Sequence, residues 1–359
     1  MNIHHLSHID LDGYSCQLVM KYTPYNITNY NANYGAEVRS KLEFILENIK
    51  KSEVKKAVIL ITDLNLTADE SRWLNNEVHK MNDHGSEIII TLLDHHGSGE
   101  ESAKKYKWYF LDVERCATKI TYDYVKENFE FDEPEWMQKY VDIVNAVDLW
   151  KKEEVENFEY GKVCMRLVNE TRELNRVMFA TEDSNYKLSL LQAATKLIGV
   201  EDAAIVLDEQ IHTLKKDFFK NDVNNTLDNL ATDYVVSLLG KKRNTNTIYY
   251  KGYRGFLSYG VGNTSIVGNG FLVAFPEYDF IVDVSYRGAM SLRAADKVSV
   301  AQISKEWSNG GGHPNAAGGR IMGFKEQYRY DKVKQQIETL ISDKESVAGK
   351  LEYKKEELS

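Results

Sequence analysis

Five aspartates and three histidines are placed along the first part of this chain where they could hold metal ions. His8, Asp10 and Asp12 fall within His8-Ile9-Asp10-Leu11-Asp12-Gly13, just after a short candidate strand over residues 2–7. Asp63 directly follows the apolar run 57–62, and Asp94-His95-His96 follows the apolar run 87–93. Asp148 ends the segment 141–148, which has helical character. Each has an ordinary explanation alone: Asp12-Gly13 as a turn, Asp94-His95-His96-Gly97 as a polar loop, Asp63 as a loop residue. Three successive strand ends bearing Asp or His are a different matter. Converging carboxylates are electrostatically costly, and divalent cations remove that cost. Mixed Asp and His ligation without cysteine suits Mn²⁺, Zn²⁺, Co²⁺ or Fe²⁺ better than Ca²⁺ or Mg²⁺ alone.

Such convergence needs strands whose carboxyl ends share one edge. Residues 57–62 and 87–93 are β-branched and apolar, as in strands buried on both faces of a parallel sheet. Val38, Leu42, Ile45, Leu46 and Ile49 repeat at helical spacing over 38–51. Thr67 and Glu70 form a capping box that opens the next helix. Helices are also expected over 117–128, 135–150 and much of 155–222, with Gly199 ending one of them. The fold class is therefore α/β: an N-terminal parallel sheet with helices on both faces, binding its ligand beyond the strand ends. A smaller C-terminal α+β domain follows, with strands expected over 234–239, 247–250, 270–275, 279–285 and 289–293, then a helix over 298–308 and a glycine-rich turn. The expected boundaries are 1–195 for the first domain, 196–230 for a helical connection, 231–345 for the second domain and 346–359 for a charged, frayed tail.

The set as a whole resembles the DHH phosphoesterases, named for the Asp94-His95-His96 triplet. His8-Ile-Asp-Leu-Asp-Gly13 has the short HxDxDG form of the exonuclease branch that contains RecJ and nano-RNase B. Ser291-Leu292-Arg293 and Gly310-Gly311-Gly312-His313 resemble the two signatures of the companion DHHA1 domain. The resemblance covers nearly the whole chain. It implies a first metal held by His8, Asp10 and Asp63, and a second held by Asp12, Asp63, His95 and Asp148, with Asp63 shared. Asp148 is taken over Asp142, on the same helix, because Asp148-Leu149-Trp150 resembles the end of the fourth motif. His96 would face the scissile phosphate, and Asp94 would orient a histidine. Two cations, Mn²⁺ first with Mg²⁺ or Co²⁺ as alternatives, would hydrolyse a phosphoester without a protein nucleophile.

In the second domain, Gly311 and Gly312 would bring main-chain N–H groups to an anion, with His313 and the fork of Arg293 adding charged donors. Arg287 is a weaker candidate for the same role, equally well explained as a solvated strand residue. The resemblance implies short oligoribonucleotides or dinucleotides as substrates, cut to nucleoside 5′-monophosphates. Linear or cyclic dinucleotides and 3′-phosphoadenosine 5′-phosphate are the alternative substrates. A nucleotide-binding regulator without turnover is the alternative of another class.

Bulk properties narrow the field further. A net charge of −9 argues against a long basic surface that coats nucleic acid. No apolar run reaches the roughly 18 residues of a membrane span, so no membrane partner is expected. The three cysteines, Cys16, Cys116 and Cys164, make no paired framework and read as buried apolar residues, which fits a cytoplasmic setting. A homodimer is compatible with the pattern.

Overall fold

A computed structural model describes residues 2–221 and 223–356. The chain divides into two compact units, residues 1–172 with 180–218, and residues 173–179 with 219 onward. Residue 222 and the last three residues of the charged tail lie outside the described residues.

The first unit begins with β1 (Asn2–Ser7), α1 (Leu11–Met20), β2 (Asn26–Asn31), α2 (Ala36–Lys51), β3 (Lys56–Thr62), α3 (Ala68–Asp83) and β4 (Glu87–Asp94). It continues with α4 (Glu100–Lys105), β5 (Tyr109–Leu111), α5 (Ala117–Asn128), α6 (Met137–Asp148), α7 (Phe158–Glu170), α8 (Ala180–Thr195) and α9 (Ala203–Phe219). The five strands are all parallel in the order β2-β1-β3-β4-β5. Side chains alternate across the sheet, so β3 supplies Ile59 and Ile61 to one core and Val58 and Leu60 to the other. The first core takes Leu42, Ile45 and Ile49 of α2 with Leu74 and Val78 of α3. The second takes Val19 and Met20 of α1, Ile120 and Val125 of α5, and Met137 and Val141 of α6. The strand order reverses at β1, with β2 on one side and β3 on the other, so the carboxyl ends of β1 and β3 open a crevice at the switch point.

The second unit holds α10 (Leu227–Lys241), α11 (Arg243–Asn246), β6 (Thr247–Tyr250), β7 (Tyr253–Tyr259), α12 (Thr264–Ala274), β8 (Phe280–Val284) and β9 (Ala289–Ala294). It closes with α13 (Val300–Ser308), β10 (Gly311–His313), β11 (Ala316–Arg320) and α14 (Tyr330–Glu356). Its six strands run in the order β10-β11-β9-β8-β7-β6, with only the β7–β8 pairing parallel.

Two segments expected as strands are helices. Residues 234–239 belong to α10, which buries Leu230, Ala231, Val235, Leu238 and Leu239, a helical spacing that the short apolar run conceals. Residues 270–275 lie mostly in α12, which buries Val267, Gly268, Phe271 and Leu272. Gly268 belongs there because a Cβ would press on Arg293 Cγ and Ile281 Cγ2, both 3.2 Å away. The expected glycine-rich turn is in part the strand β10, paired with β11.

Candidate metal centre

β1 ends at Ser7, and the next residues turn at once into α1. Asp10 is the N-cap of that helix, its Oδ1 accepting the Gly13 N–H at 3.0 Å. The turn is tight enough that Gly13 has no room for a side chain: a Cβ would lie 2.5 Å from the His8 carbonyl oxygen and 2.8 Å from its Cα. The glycine of the HxDxDG segment is thus a packing requirement for seating His8 against α1. Asp12 follows in the first turn and is buried. Its carboxylate accepts from the first N–H groups of α5, Oδ2 from Ala117 and Oδ1 from Thr118, both at 2.8 Å. Asp12 therefore cancels part of the positive end of α5 while pointing toward the cluster.

Asp63 follows β3 in the left-handed region, with φ 57°. An aspartate tolerates that conformation better than most residues, and the strain is of order 1 kcal/mol or more. A single buried Ile or Leu of β3 offsets it, since each contributes roughly 1.5–3 kcal/mol. A hydrogen bond from Asp63 N to the Leu93 carbonyl, 3.1 Å, fixes the turn against β4. Beneath it, Thr62 Oγ1 meets both His5 Nε2 at 2.8 Å and Ser7 Oγ at 2.7 Å, tying β1 to β3 just before both strands end.

The side chains converge in two groups. His8 Nδ1 stands 2.8 Å from Asp10 Oδ2 and 3.6 Å from Asp63 Oδ2. His95 Nε2 stands 3.3 Å from Asp63 Oδ1, 3.7 Å from Asp12 Oδ2 and 3.7 Å from Asp148 Oδ2. Ligand-type atoms of His8, Asp10 and Asp63 lie within 4.8 Å of one another, as do those of Asp12, His95 and Asp148. Asp63 turns one carboxylate oxygen to each group. His96 also comes within that range of Asp63 and His95.

Asp148 reaches the cluster because α6 stops there: Trp150 adopts φ 56° and Lys151 N–H bonds back to the Ala146 carbonyl at 2.7 Å. Asp142, one and a half turns earlier, instead accepts from Gln138 Nε2 at 2.9 Å and faces Lys119. The three cysteines are free and buried, and none belongs to these groups among the described residues.

The electrostatics fit a cation site. Burial and the neighbouring carboxylates of Asp12 and Asp10 push Asp63 well above the usual carboxylate range. Burial, with Asp12 beside it, raises Asp148 to about 7, partly opposed by His95. Burial disfavours charge on His8, but Asp10 and Asp63 outweigh it and lift the imidazole to about 10. Asp63 Oδ2 and His8 Nδ1 are both buried without an aligned hydrogen-bond partner. A buried carboxylate oxygen like that of Asp63 is expensive to leave unmet unless something positive faces it. Divalent cations would be held by His8, Asp10 and Asp63 and by Asp12, Asp63, His95 and Asp148. When bound they supply positive charge for phosphoryl oxygens and acidify water toward neutrality.

Asp94 is completely buried and belongs to neither ligand group. Its Oδ1 accepts from His96 Nδ1 at 2.8 Å and from His96 N at 3.2 Å, while Oδ2 accepts from Tyr109 Oη at 2.6 Å. Gly99 makes that last bond possible, because a Cβ there would sit 1.8 Å from Tyr109 Oη. Asp94 orients His96, whose side chain is more exposed than that of His95.

Sequence reasoning missed Tyr34, in the loop between β2 and α2. Its ring lies 4.5 Å from the ring of His8, and its hydroxyl is 2.8 Å from His96 Nε2. Only Gly35 hints at it, a glycine with φ 81° that turns the loop into α2.

The second unit gathers a separate set. Register pairs His313 with Ala316 and Ala316 with Arg293, so His313 and Arg293 lie on one line across β10, β11 and β9, about 10 Å apart by strand spacing. Arg293 donates to Ser265 Oγ at 2.6 Å and to the Leu292 carbonyl at 2.7 Å. Gly312 has φ 146°, and a Cβ would meet the Ala316 carbonyl at 2.5 Å, whereas Gly311 faces open space. Arg287 is not part of this row. It sits exposed in the turn between β8 and β9, at the opposite end of β9 from Arg293.

The chain is 43% identical over 347 residues to the 3′,5′-cyclic-nucleotide phosphodiesterase of Helicobacter pylori (strain ATCC 700392 / 26695), covering 96% of this chain and 99% of that protein. The chain belongs to the DHH phosphoesterase family. This DHH protein is also 23% identical over 325 residues to oligoribonuclease NrnB of Bacillus subtilis (strain 168), covering 88% of the chain and 72% of that relative. A crystal structure of an uncharacterized protein from Helicobacter pylori G27 superposes with a TM-score of 0.89 at 42% identity, over 95% of this chain and 99% of that one. No family model matches the chain. As a DHH enzyme it is a hydrolytic phosphoesterase of the phosphodiesterase type. No described helix is long and apolar enough to cross a membrane.

Proposed function

We propose that this DHH phosphoesterase opens the 3′,5′-phosphodiester of cyclic nucleotides with two divalent cations, Mn²⁺ foremost. The observation that carries the reading is the 43% identity to a 3′,5′-cyclic-nucleotide phosphodiesterase over essentially the whole of both chains. The two ligand groups sharing Asp63 support it, because twin positive centres suit a displacement at phosphorus in which both attacking and leaving oxygens need stabilising. Asp94 orients His96 beside these groups, within ligand range of Asp63 and His95.

Short oligoribonucleotides are the second reading, supported by the 23% identity to an oligoribonuclease over 72% of its length. Both substrates present the same linkage and differ in what continues beyond it. The test is a panel of cyclic AMP, cyclic GMP, a labelled diribonucleotide, a labelled pentaribonucleotide and 3′-phosphoadenosine 5′-phosphate under one Mn²⁺ condition. The first reading requires kcat/KM for a cyclic mononucleotide to exceed that for either oligonucleotide. The reverse order selects the second reading, and inactivity toward all five overturns both.

A further inference from the structure

Tyr34 lies where the two functional halves of the centre meet. Asp94 Oδ1 accepts from both the backbone N–H and Nδ1 of His96, so Nδ1 is the nitrogen that carries the proton in the neutral ring. Nε2 is thereby left facing outward, and Tyr34 Oη meets it at 2.8 Å. The Tyr34 ring packs 4.5 Å from His8 at 43° and stands 5.5 Å from His96 at 75°. His95 and His96 are themselves 4.2 Å apart, so one phenol bridges a ligand histidine of the first group to the histidine beside the second.

Nothing else among the described hydrogen bonds restrains the outer edge of His96. Asp94 fixes one point on the ring, and a ring held at one point still rocks about that bond. A second contact at Nε2 sets the direction in which the ring faces. We infer that Tyr34 is a positioning residue for phosphodiester hydrolysis, holding His96 in register with the two ligand groups through the Asp94–His96–Tyr34 line. The inference rests on the functional reading above and adds a residue to it. The hydroxyl supplies the alignment, while the ring supports His8.

The two parts of the side chain can be separated. Tyr34→Phe removes the hydroxyl and keeps the ring against His8. In the full chain with Mn²⁺ and cyclic AMP, its metal content and KM should match wild type while kcat falls about tenfold, the effect of one lost alignment bond of about 1.4 kcal/mol. Tyr34→Ala also removes the ring, and should weaken Mn²⁺ binding by roughly 10- to 100-fold, as loss of support for a ligand histidine does. In ¹⁵N-histidine-labelled protein without substrate, Tyr34→Phe should shift the His96 Nε2 resonance and leave His5 unmoved. A kcat within about twofold of wild type, or a fall in Tyr34→Phe matched by equal metal loss, overturns the inference while leaving the functional reading intact. If wild type cleaves no 3′,5′-phosphodiester, that reading fails on its own, and an unshifted His96 resonance in Tyr34→Phe then overturns the Tyr34 inference separately.

Discussion

The carboxylate of Asp12 grips the start of α5 through Thr118, taking its backbone N–H at 2.8 Å while the Thr118 hydroxyl returns a 2.8 Å bond to the Asp12 carbonyl. With the Ala117 N–H on the other oxygen, one residue is both a candidate ligand and the cap of a helix that begins more than a hundred positions away. Cys116, at the formal N-cap position, makes no side-chain capping bond, so this duty falls to Asp12.

Asp12→Ala should therefore fail in two measurable ways. Mn²⁺ bound per chain should drop, and the chelated protein should lose about 1–2 kcal/mol by denaturant melting, the usual cost of removing a cap. Asp10→Ala removes a cap from α1 instead, so its loss is comparable, but hydrogen exchange should then increase in α1 and leave α5 protected. An Asp12→Ala protein as stable as wild type after chelation would show that the α5 contact carries no stability.

Asp63 gives an inversion. Burial and two neighbouring carboxylates hold it well above the usual carboxylate range, so its ionisation opposes folding at neutral pH when no cation is bound. Asn adopts the left-handed conformation at least as readily as Asp. Asp63→Asn should accordingly melt higher than wild type in chelator and lower than wild type in Mn²⁺, with hydrolysis lost. Calorimetry in the two buffers checks the crossing, and the same order in both would refute it.

Gly13→Ala tests whether the glycine seats His8. A methyl group 2.5 Å from a backbone oxygen cannot be accommodated by a rotamer change, so the His8 turn and α1 must separate. A cost of about 1–3 kcal/mol is expected, typical of overpacking. Mn²⁺ affinity should fall with it. Gly311→Ala is the matched control, since a Cβ there meets nothing within 4 Å. It should leave stability unchanged.

The strand ends were the legible part of the sequence. β3 carries a continuous apolar run because both faces of the sheet are covered there, whereas β4 leaves Ile89 exposed and is covered on both faces only near its carboxyl end; in both, the residue after the run is then marked. β2 was not legible. Asn26–Asn31 is an edge strand with two of its six residues buried, and its asparagines carry turn chemistry that hides the pairing with β1. α10 and α12 misread as strands because a five- or six-residue apolar run has no period of its own, and their burial spacing shows only with residues on either side. Asp148 could be preferred to Asp142 only by resemblance, because helix periodicity does not say where a helix stops. Trp150 in the left-handed conformation is what ends α6 at the cluster. Tyr34 lay beyond sequence reasoning altogether, since its partners His8 and His96 meet only once β1 and β4 share an edge.

Asp283 offers a test within the second unit. It lies buried in β8, accepting from Ser258 Oγ at 2.8 Å and from Val261 N at 3.1 Å on the same oxygen. Burial raises it to about 6, which these two hydrogen bonds oppose but do not overcome. The folded chain thus holds the proton more tightly than the unfolded chain, whose carboxyl has the ordinary value near 3.9. Its stabilising effect is complete below the unfolded value, declines as pH rises from about 4 to about 6, and is gone above that. The difference of roughly two pH units corresponds to about 3 kcal/mol at most. Asp283→Asn keeps an acceptor oxygen for Ser258 and Val261 and removes the ionisation. The variant should match wild type near pH 4 and exceed it at pH 7.5, with the gap opening between those values. Chemical denaturation at a series of pH values decides the matter, and a gap independent of pH would mean that Asp283 is ionised in the fold at no cost.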